Sequence, residues 1–376
     1  MNDRTVEFTP VFLGSGRCFH TMDWFRSCQK ISSLAPVFIT DNLGGEGFIP
    51  LLGADDNVRK LVLIDHVLAK QPTRLGHAWR NLVKLALVPL QVLKLRRELH
   101  GLHNPFIFAH STYYAFLASF CNVRYSATPQ GSEVLVRPFG SRFYRSLLLR
   151  SVHHAAFTTV DSNAMAERLE KLSGVRPHVV QNGIDVSGIS TGTDGPMASQ
   201  GRRLITSIRG FDANYRIVEI LQAREQQAPG LTLNFCFPFV EGNYEHQIRS
   251  LVSETDILHG RLPRMQMYAL LKKSVCVISI PKSDSSPRSV YEAIFCGAAV
   301  LCTYAQYIDA LPACMRRRVV LVNIDAPQWL AEGLVAARQI VAEPYVPSDE
   351  ALNLFDQLRS MKKCLSLAVN VLALPR

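Results

Sequence analysis

Residues 274–303 read SVCVISIPKSDSSPRSVYEAIFCGAAVLCT, and this stretch decides the fold class. An apolar run covers 274–280, a segment with helical spacing covers 290–296, and a second apolar run covers 299–303. Two short apolar runs joined by one helix are typical of a parallel β-α-β unit, because parallel strands need a long crossover connection. The runs are apolar without alternation, which indicates strands covered by helices on both faces.

The same alternation of apolar runs and helical segments extends in both directions along the chain. It predicts an α/β protein with two doubly wound, Rossmann-like domains facing a cleft. The strands predicted in the first half are 6–13, 36–40, 61–65, 105–109, 155–160 and 178–180. Those predicted in the second half are 204–208, 232–237, 256–258, 274–280, 299–303 and 319–323.

A composition change marks the predicted domain boundary. The chain has 376 residues, which suits two domains of comparable size. Residues 185–201 are rich in Gly, Ser, Thr, Asp and Pro, and this composition predicts a linker. We therefore expect an N-terminal domain over 1–185, a linker over 186–201 and a second domain over 202–345. A C-terminal helical segment, 346–376, can pack back on the first domain.

Composition excludes several protein classes. Hydrophobic residues make up 48% and charged residues 19%, so a large core is expected rather than disorder. The nine cysteines form no C-x-x-C pair, which favours reduced, buried thiols over a zinc site. Neither a signal peptide nor an apolar run long enough to span a bilayer is evident, so the expected location is cytoplasmic.

The charge of the chain is strongly basic and unevenly distributed. The net charge is +10, and residues 59–97 contain one acid, Asp65, against nine bases. The nine are Arg59, Lys60, Lys70, Arg74, Arg80, Lys84, Lys94, Arg96 and Arg97. The partly amphipathic stretch 74–97 predicts peripheral attachment to the inner face of a membrane, and a solvated helix face is the alternative. Nucleic acid is disfavoured, since no aromatic-basic stacking pattern accompanies the charge.

The loop and helix after the apolar run 274–280 carry the residues suited to a nucleotide sugar. Ser286 is predicted as the helix N-cap with Pro287 at the first helical position, and Ser289 with Glu292 can add a capping-box contact. A helix start suits a diphosphate, and Arg288 adds a fork-shaped cation there. Glu292 can accept two hydrogen bonds from a ribose diol, and Asp284 can meet sugar hydroxyls. The alternative is an ordinary capped helix with a surface acid.

Asp284, seven intervening residues, Glu292-Ala293 and Gly297 form a pattern that resembles a known family. It is similar to that of the large retaining glycosyltransferase family with the two-domain GT-B fold, the group often numbered four. The resemblance implies that Glu292 holds the nucleotide ribose and that Asp284 contacts the donor sugar. The chain departs from the family in having Asp for the first Glu, and Ser285-Ser286-Pro287 for Gly-Phe-Gly.

Further landmarks resemble this family in order and spacing over roughly residues 105–345. They are Phe108–Ser111 with His110, Pro129–Glu133, Thr158–Leu169, Val179–Asp185 and His259–Leu262. Gln130 stands where the family has His, and Gly131 can let the backbone approach the donor closely.

Two further sets of candidates complete the predicted site. Arg209 and Arg216 follow the first strand of the second domain, where the family places an Arg and a Lys for the diphosphate. The Gly14-Ser-Gly16 loop, with His20 and Asp23, resembles an acceptor-facing loop; it lacks the third glycine of a dinucleotide fingerprint. The alternative for each arginine is a surface salt bridge, and the alternative for His20 and Asp23 is a purely structural role.

The resulting expectation is a hexosyltransferase that moves a sugar from a nucleotide diphosphate sugar to an acceptor hydroxyl, with retention implied by the resemblance. The donor is a substrate, no cofactor is expected, and the absence of a D-x-D motif before an apolar strand predicts no catalytic metal. The expected acceptor is a lipid-linked or surface-polysaccharide intermediate. Two alternatives remain: a nucleotide-sugar epimerase of the same fold, and a non-catalytic partner subunit that kept the fold.

Overall fold

A computed structural model describes residues 7–16, 18–31, 34–43, 53, 55–64, 79, 82–191, 201–240, 242–284 and 286–375. The chain forms two compact units, one of residues 1–182 with 357–376 and one of residues 183–356. Each unit is built on a sheet whose strands are all parallel, so the predicted α/β class is confirmed.

The first unit has a seven-stranded sheet in the order β3-β2-β1-β4-β5-β6-β7. The strands are β1 (Thr9–Leu13), β2 (Val37–Thr40), β3 (Val58–Lys60), β4 (Pro105–His110), β5 (Tyr125–Thr128), β6 (Phe157–Val160) and β7 (His178–Val179). The helices are α1 (Phe19–Lys30), α2 (Val88–His100), α3 (Thr112–Ala118), α4 (Gly131–Leu135), α5 (Arg137–Gly140), α6 (Arg142–His153) and α7 (Asn163–Ser173), followed much later by the C-terminal helix Gln357–Leu372.

The second unit has a six-stranded sheet in the order β10-β9-β8-β11-β12-β13. The strands are β8 (Leu204–Ser207), β9 (Leu233–Cys236), β10 (Ile257–Gly260), β11 (Ser274–Ser279), β12 (Ala299–Cys302) and β13 (Val319–Leu321). The helices are α8 (Val186–Thr191), α9 (Ile217–Gln227), α10 (Gly242–Leu251), α11 (Arg264–Lys272), α12 (Arg288–Phe295), α13 (Ala313–Arg316), α14 (Trp329–Val341) and α15 (Asp349–Phe355). Short 3-10 turns cover Ala213–Tyr215 and Gln306–Ile308.

Two strands of the first unit differ from the prediction. The strand expected at 61–65 is instead Val58–Lys60, because the chain leaves the sheet at Leu61; residue 65 lies outside the described part of the chain. The buried Gln91 amide then satisfies the backbone of Val62, donating to its carbonyl and accepting from its N–H, each at 2.9 Å. Strand β5 was not predicted, although it is buried along its whole length.

The predicted linker over 186–201 is wrong in its first part. Residues Val186–Thr191 form a helix of the second unit, and Ile184 and Ile189 are buried in its core. The Asp185 carboxylate holds the start of this helix by accepting from the Gly188 N–H at 3.1 Å and the Ser187 hydroxyl at 2.7 Å. Residues 192–200 lie outside the described part of the chain.

The predicted C-terminal segment 346–376 is two helices that belong to different units. The first, Asp349–Phe355, packs in the second unit, with Ala351 and Phe355 buried in its core. Asp356 is extended and pairs with Ile184, which ends that helix. The second helix, Gln357–Leu372, packs against α1 in the first unit and buries Met361, Cys364, Leu365 and Ala368.

Candidate functional site

In each unit the strand order reverses beside the first strand, and parallel α/β sheets bind ligands at such switch points. In the second unit the reversal lies between β8 and β11, which pair directly. Arg209 follows β8, and Asp284 follows β11. The sheet therefore brings together two residues that were predicted separately.

Arg209 is the centre of this cluster. Its side chain is 8% exposed. Nε donates to Ser279 Oγ at 2.8 Å, and Nη2 lies 2.8 Å from Asp284 Oδ2. The guanidinium also stands 5.2 Å from the centre of the Tyr215 ring. Three neighbours thus fix the orientation of a cation at the end of the sheet.

The electrostatics of the surrounding hydroxyl and thiol groups follow from burial and this cation. Burial raises the pKa of Tyr215, while Arg209 opposes that rise and Asp284 adds to it. Burial also raises the pKa of Cys302 to about 11, against the lowering effects of Tyr307 and Arg209. Both groups are therefore uncharged at neutral pH and present only dipoles to a ligand.

Glu292 lies in the middle of α12 and is 6% exposed. The Tyr268 hydroxyl donates to its Oε1 at 3.2 Å, and Arg288 Nε donates to the same oxygen at 3.3 Å. Burial raises the pKa of Tyr268, with the Glu292 charge as the next contribution, so the phenol keeps the proton it donates. The carboxylate is held through one oxygen in a largely apolar surrounding.

The start of α12 differs from the prediction. The helix begins at Arg288, Pro287 occupies the N-cap, and no side chain caps it. Ser286 is not the cap; its hydroxyl lies 3.3 Å from the Tyr291 hydroxyl. The capping box is also wrong, because Glu292 bonds Tyr268 and Arg288, while Ser289 Oγ is buried without a partner among the described residues. Pro287 has a φ of −76° and a ψ of 93°, an extended conformation that places it before the first helical residue.

Asn214 is a residue of this site that the sequence interpretation missed. Its backbone carbonyl accepts from the Lys282 N–H at 2.7 Å. Its side chain accepts from the Ser283 N–H at 3.2 Å and donates to the Ser283 carbonyl at 3.1 Å. These bonds anchor the loop that carries Asp284. The signal available was Asp212-Ala-Asn, since Asp212 caps the turn by accepting from the Asn214 N–H at 2.7 Å.

Arg216 is not part of the Arg209 cluster. It precedes α9 with a φ of 53°, a left-handed conformation that is unfavourable for a side chain with a Cβ. Within the described residues its guanidinium makes no hydrogen bond or ion pair. The role of Arg216 as a second cation for the diphosphate therefore stays a prediction.

In the first unit, His110 ends β4 beside the switch point between β1 and β4. Its ring is buried, parallel to His20 at 6.4 Å and edge-on to Trp24 at 5.4 Å between ring centres. Burial, with a smaller effect of His20, lowers the pKa of His110 to about 3. The imidazole is neutral at physiological pH, so it can offer one donor and one acceptor but no charge.

The buried Glu133 carboxylate joins the loop that contains Gly131 to the turn after His110. Its Oε2 accepts from the backbone N–H groups of Thr112 at 2.8 Å and Gln130 at 3.0 Å. Ser111, which directly precedes Thr112, has a φ of 83°, a conformation normally reserved for glycine. Gly131 begins α4 directly after Gln130. The resemblance named Glu133 only as part of a motif and gave it no role.

The predicted acceptor residues lie at the neighbouring strand end and on α1. A Cβ at Gly14 would lie 2.5 Å from Thr21 Cγ2, so the loop needs glycine to pack on α1. Gly16 donates to the Asn42 carbonyl at 3.0 Å. His20 is partly exposed beside His110, whereas Asp23 is buried, and its carbonyl accepts from Ser27 Oγ at 2.7 Å.

The described ranges contain neither a cluster of metal ligands nor a membrane-spanning helix. There, no group of three or more His, Cys, Asp or Glu side chains is arranged to hold a metal ion. No helix in the same ranges has the length and apolar character that crossing a bilayer requires. All nine cysteines are free thiols.

Solved structures with this architecture include several enzymes of sugar transfer. HepE from Anabaena, in complex with UDP and glucose, matches 97% of this chain and all of its own at 14% identity, with a TM-score of 0.65. A UDP-forming trehalose-phosphate synthase from Burkholderia xenovorans matches 98% and 100% at 14% identity, with a TM-score of 0.68. Sucrose-phosphate synthase from Thermosynechococcus elongatus matches 98% and 100% at 11% identity, with a TM-score of 0.70.

The chain has the GT-B fold of glycosyltransferases. Residues 60–187 also match the family model described as Glycosyltransferase Family 4, so the resemblance to that family is confirmed. The matched range includes His110, Gly131 and Glu133, but not Arg209, Asp284 or Glu292. No curated protein is similar to it in sequence.

Proposed function

We propose that this GT-B protein transfers a hexose-type sugar from a nucleotide diphosphate sugar to an acceptor hydroxyl, with retention. The observation that carries the proposal is the Arg209–Asp284 pair at the switch point of the second unit, on a sheet whose next helix contains the buried Glu292. The HepE structures, which hold UDP or UDP-glucose, support a nucleotide-sugar donor.

The donor roles follow from the chemistry of each group. Glu292 uses Oε1 for Tyr268 and Arg288, and Oε2 would accept from the ribose diol. Arg209, already fixed by Ser279 and Asp284, would stabilise the charge that develops on the leaving diphosphate. The start of α12, which no side chain caps, would add backbone N–H groups, with Arg288 and Ser289 beside it.

Asp284 has a second task in this proposal. Its carboxylate bonds Arg209 through Oδ2, and Oδ1 would accept a hydroxyl of the donor sugar. Asn214 would position the loop by its three bonds to Lys282 and Ser283. The protein would contribute orientation and charge stabilisation, without a metal ion or a resident cofactor.

The acceptor is proposed to bind the first unit near Gly14, Gly16, His20 and Asp23. His110, at an adjoining strand end, is proposed to take part in the transfer, and Gly131 to let the backbone approach the donor. A neutral His110 suits this role, because it can exchange hydrogen bonds with hydroxyls and adds no competing charge. Asp23 is buried, so it would act through the position of α1.

The acceptor class is proposed to be a lipid-linked or surface-polysaccharide intermediate, used at the inner face of the membrane. Support comes from the basic stretch 74–97, of which residues 74–78, 80 and 81 lie outside the described part. Within the described part, Leu90 is 55% and Leu93 is 61% exposed on α2. Exposed leucines beside lysines and arginines suit an interfacial helix.

The test of the donor site is a calorimetric panel of UDP, GDP, ADP and CMP. We expect one nucleotide to bind clearly, and Glu292→Ala to weaken it by at least about tenfold, or 1.4 kcal/mol. Glu292→Gln keeps the shape and one acceptor oxygen, which separates ligand loss from misfolding. Glu332→Ala, an exposed acid on α14, is the matched control and should bind as the wild type does.

The outcome that would overturn the donor site is a folded protein that binds none of the four nucleotides. Tight binding with neither transfer nor hydrolysis of the matching nucleotide sugar would instead favour the partner subunit. Conversion of the sugar to its epimer would favour the epimerase.

A further inference from the structure

A segment directly after α4 carries large apolar side chains on its surface. Val136 is 65%, Phe139 is 51% and Phe143 is 56% exposed. Val136 lies between α4 and the short helix α5, Phe139 lies on α5, and Phe143 lies in the first turn of α6. Burying such side chains is favourable, so three exposed ones within eight residues indicate a surface with a partner.

These side chains do not belong to the core beneath them. The core of this region is formed by other residues of the same elements and of their neighbours, namely Val134, Leu148, Val152, Val160, Met165 and Leu169. Phe139 touches a guanidinium instead, with Arg168 at 4.0 Å from its ring centre. The helices thus have a buried face and a separate outward face.

The charge on the outward face is entirely positive. Arg137, Arg142 and Arg145 are exposed among the apolar side chains, and residues 134–160 contain no acid. Arg137 lies 3.8 Å from the buried Glu133. Arg142 and Arg145 form no ion pair or hydrogen bond with their side chains within the described residues. Two unpaired guanidinium groups beside two phenyl rings favour an anionic partner with an apolar interior.

We propose that this outward face, Val136–Arg145, docks on an anionic lipid bilayer. Val136, Phe139 and Phe143 enter the region between headgroups and acyl chains, and the arginines bind lipid phosphates. Aromatic residues and arginine are also common in protein–protein interfaces, so a protein is the alternative partner, which the absence of vesicle binding would favour. The proposal deepens the proposed function, and it rests on that function only for the idea that the acceptor is linked to a lipid.

Vesicle co-sedimentation of the full chain tests this surface. The vesicles are phosphatidylcholine alone, or phosphatidylcholine with about 30% phosphatidylglycerol. We expect the wild type to bind the anionic vesicles more strongly, and Phe139→Ser with Phe143→Ser to lower the partition coefficient by about tenfold. Arg142→Gln with Arg145→Gln should weaken binding to the anionic vesicles only.

A matched variant identifies the face. Val335→Ser with Val346→Ser removes side chains that are exposed on the second unit, and this pair is the matched control. We expect it to bind the vesicles as the wild type does. The proposal is overturned if the phenylalanine pair binds as the wild type does, or if the wild type binds neither vesicle.

The two proposals can fail separately. Nucleotide binding by calorimetry is measured on the same variants, and we expect it to be unchanged in the phenylalanine pair, which also shows that the protein is folded. A chain that binds vesicles through this face but binds no nucleotide would refute the donor site and leave the docking surface standing.

Discussion

At the residue scale, His110 shows how burial decides what a titratable group can do. Its ring lies against Trp24 and His20, and both burial and the His20 ring disfavour its protonation. The folded-state pKa of about 3 lies below the ordinary value of 6.5. A catalytic role that needs a protonated imidazole is therefore disfavoured, and hydrogen bonding to a hydroxyl is favoured.

The lowered pKa predicts a pH-dependent stability. Between pH 6.5 and about 3, His110 is protonated in the unfolded chain but not in the folded chain. Because the unfolded chain binds more protons in this range, the free energy of unfolding falls as pH falls. We expect its slope with pH to be steeper in the wild type than in His110→Asn by up to about 1.4 kcal/mol per pH unit. Urea unfolding between about pH 6.5 and 4.5 measures it. Equal slopes in the two proteins would contradict a neutral His110.

The sequence indicated the types of residue in the donor site more readily than their contacts. Arg209 and Asp284 were each selected, but their ion pair depends on β8 lying next to β11, which strand prediction alone does not give. Asn214 was missed because its function is a set of bonds to the backbone of a distant loop. Contacts that depend on sheet order leave no local pattern.

At the element scale, the strands of the second unit were easier to predict than those of the first. All six predicted runs of the second unit overlap a strand, because each contains apolar residues bounded by turn residues. Strand β5 reads Tyr-Ser-Ala-Thr, and its polar residues gave no apolar run. The strand is buried nonetheless, and the hydroxyl group of Thr128 is satisfied there: its Oγ1 forms a hydrogen bond of 2.7 Å with Thr159 Oγ1 on the neighbouring strand β6. Tertiary partners override weak local preference here.

The start of α12 gives a prediction about helix capping. Ser162 caps α7 by accepting from the Met165 N–H at 3.3 Å, whereas Ser286 precedes a helix whose N-cap is Pro287. Ser162→Ala should therefore cost about 1 kcal/mol of unfolding free energy. Ser286→Ala should cost less than about half of that, because it removes no cap. Chemical denaturation of the two variants compares them, and a larger cost at Ser286 would show that it caps α12 after all.

At the scale of the whole molecule, the end of the chain returns to the unit in which the chain begins. The C-terminal helix Gln357–Leu372 packs on α1, and its buried residues join the cluster that contains Phe12, Trp24 and Phe25. Helical periodicity predicted the segment, but not its division at Asp356, because the break depends on the backbone bridge to Ile184. The first unit is thus completed by residues that follow the whole second unit in sequence.

This return predicts where a mutation near the C-terminus acts. Met361 is fully buried against the first unit, so Met361→Ala should destabilise that unit by about 2–5 kcal/mol. Hydrogen exchange measured by mass spectrometry should show faster exchange in β1 and α1, with little change in β8 to β12. The matched control is Leu330→Ala, a fully buried residue of the second unit's core, which should produce the reverse pattern.

The two variants together test whether the units unfold as separate cooperative bodies. A single all-or-none transition would raise exchange in both units by the same factor for either variant, because every amide would then open through global unfolding. Separate units would confine each effect to its own sheet. The nucleotide affinity of Met361→Ala adds an independent readout. The proposed nucleotide contacts Arg209, Arg288 and Glu292 belong to the second unit, so the affinity should be unchanged while the first unit is weakened. Loss of nucleotide binding in Met361→Ala, with Leu330→Ala exchanging faster throughout the chain, would show that the two units are one cooperative body.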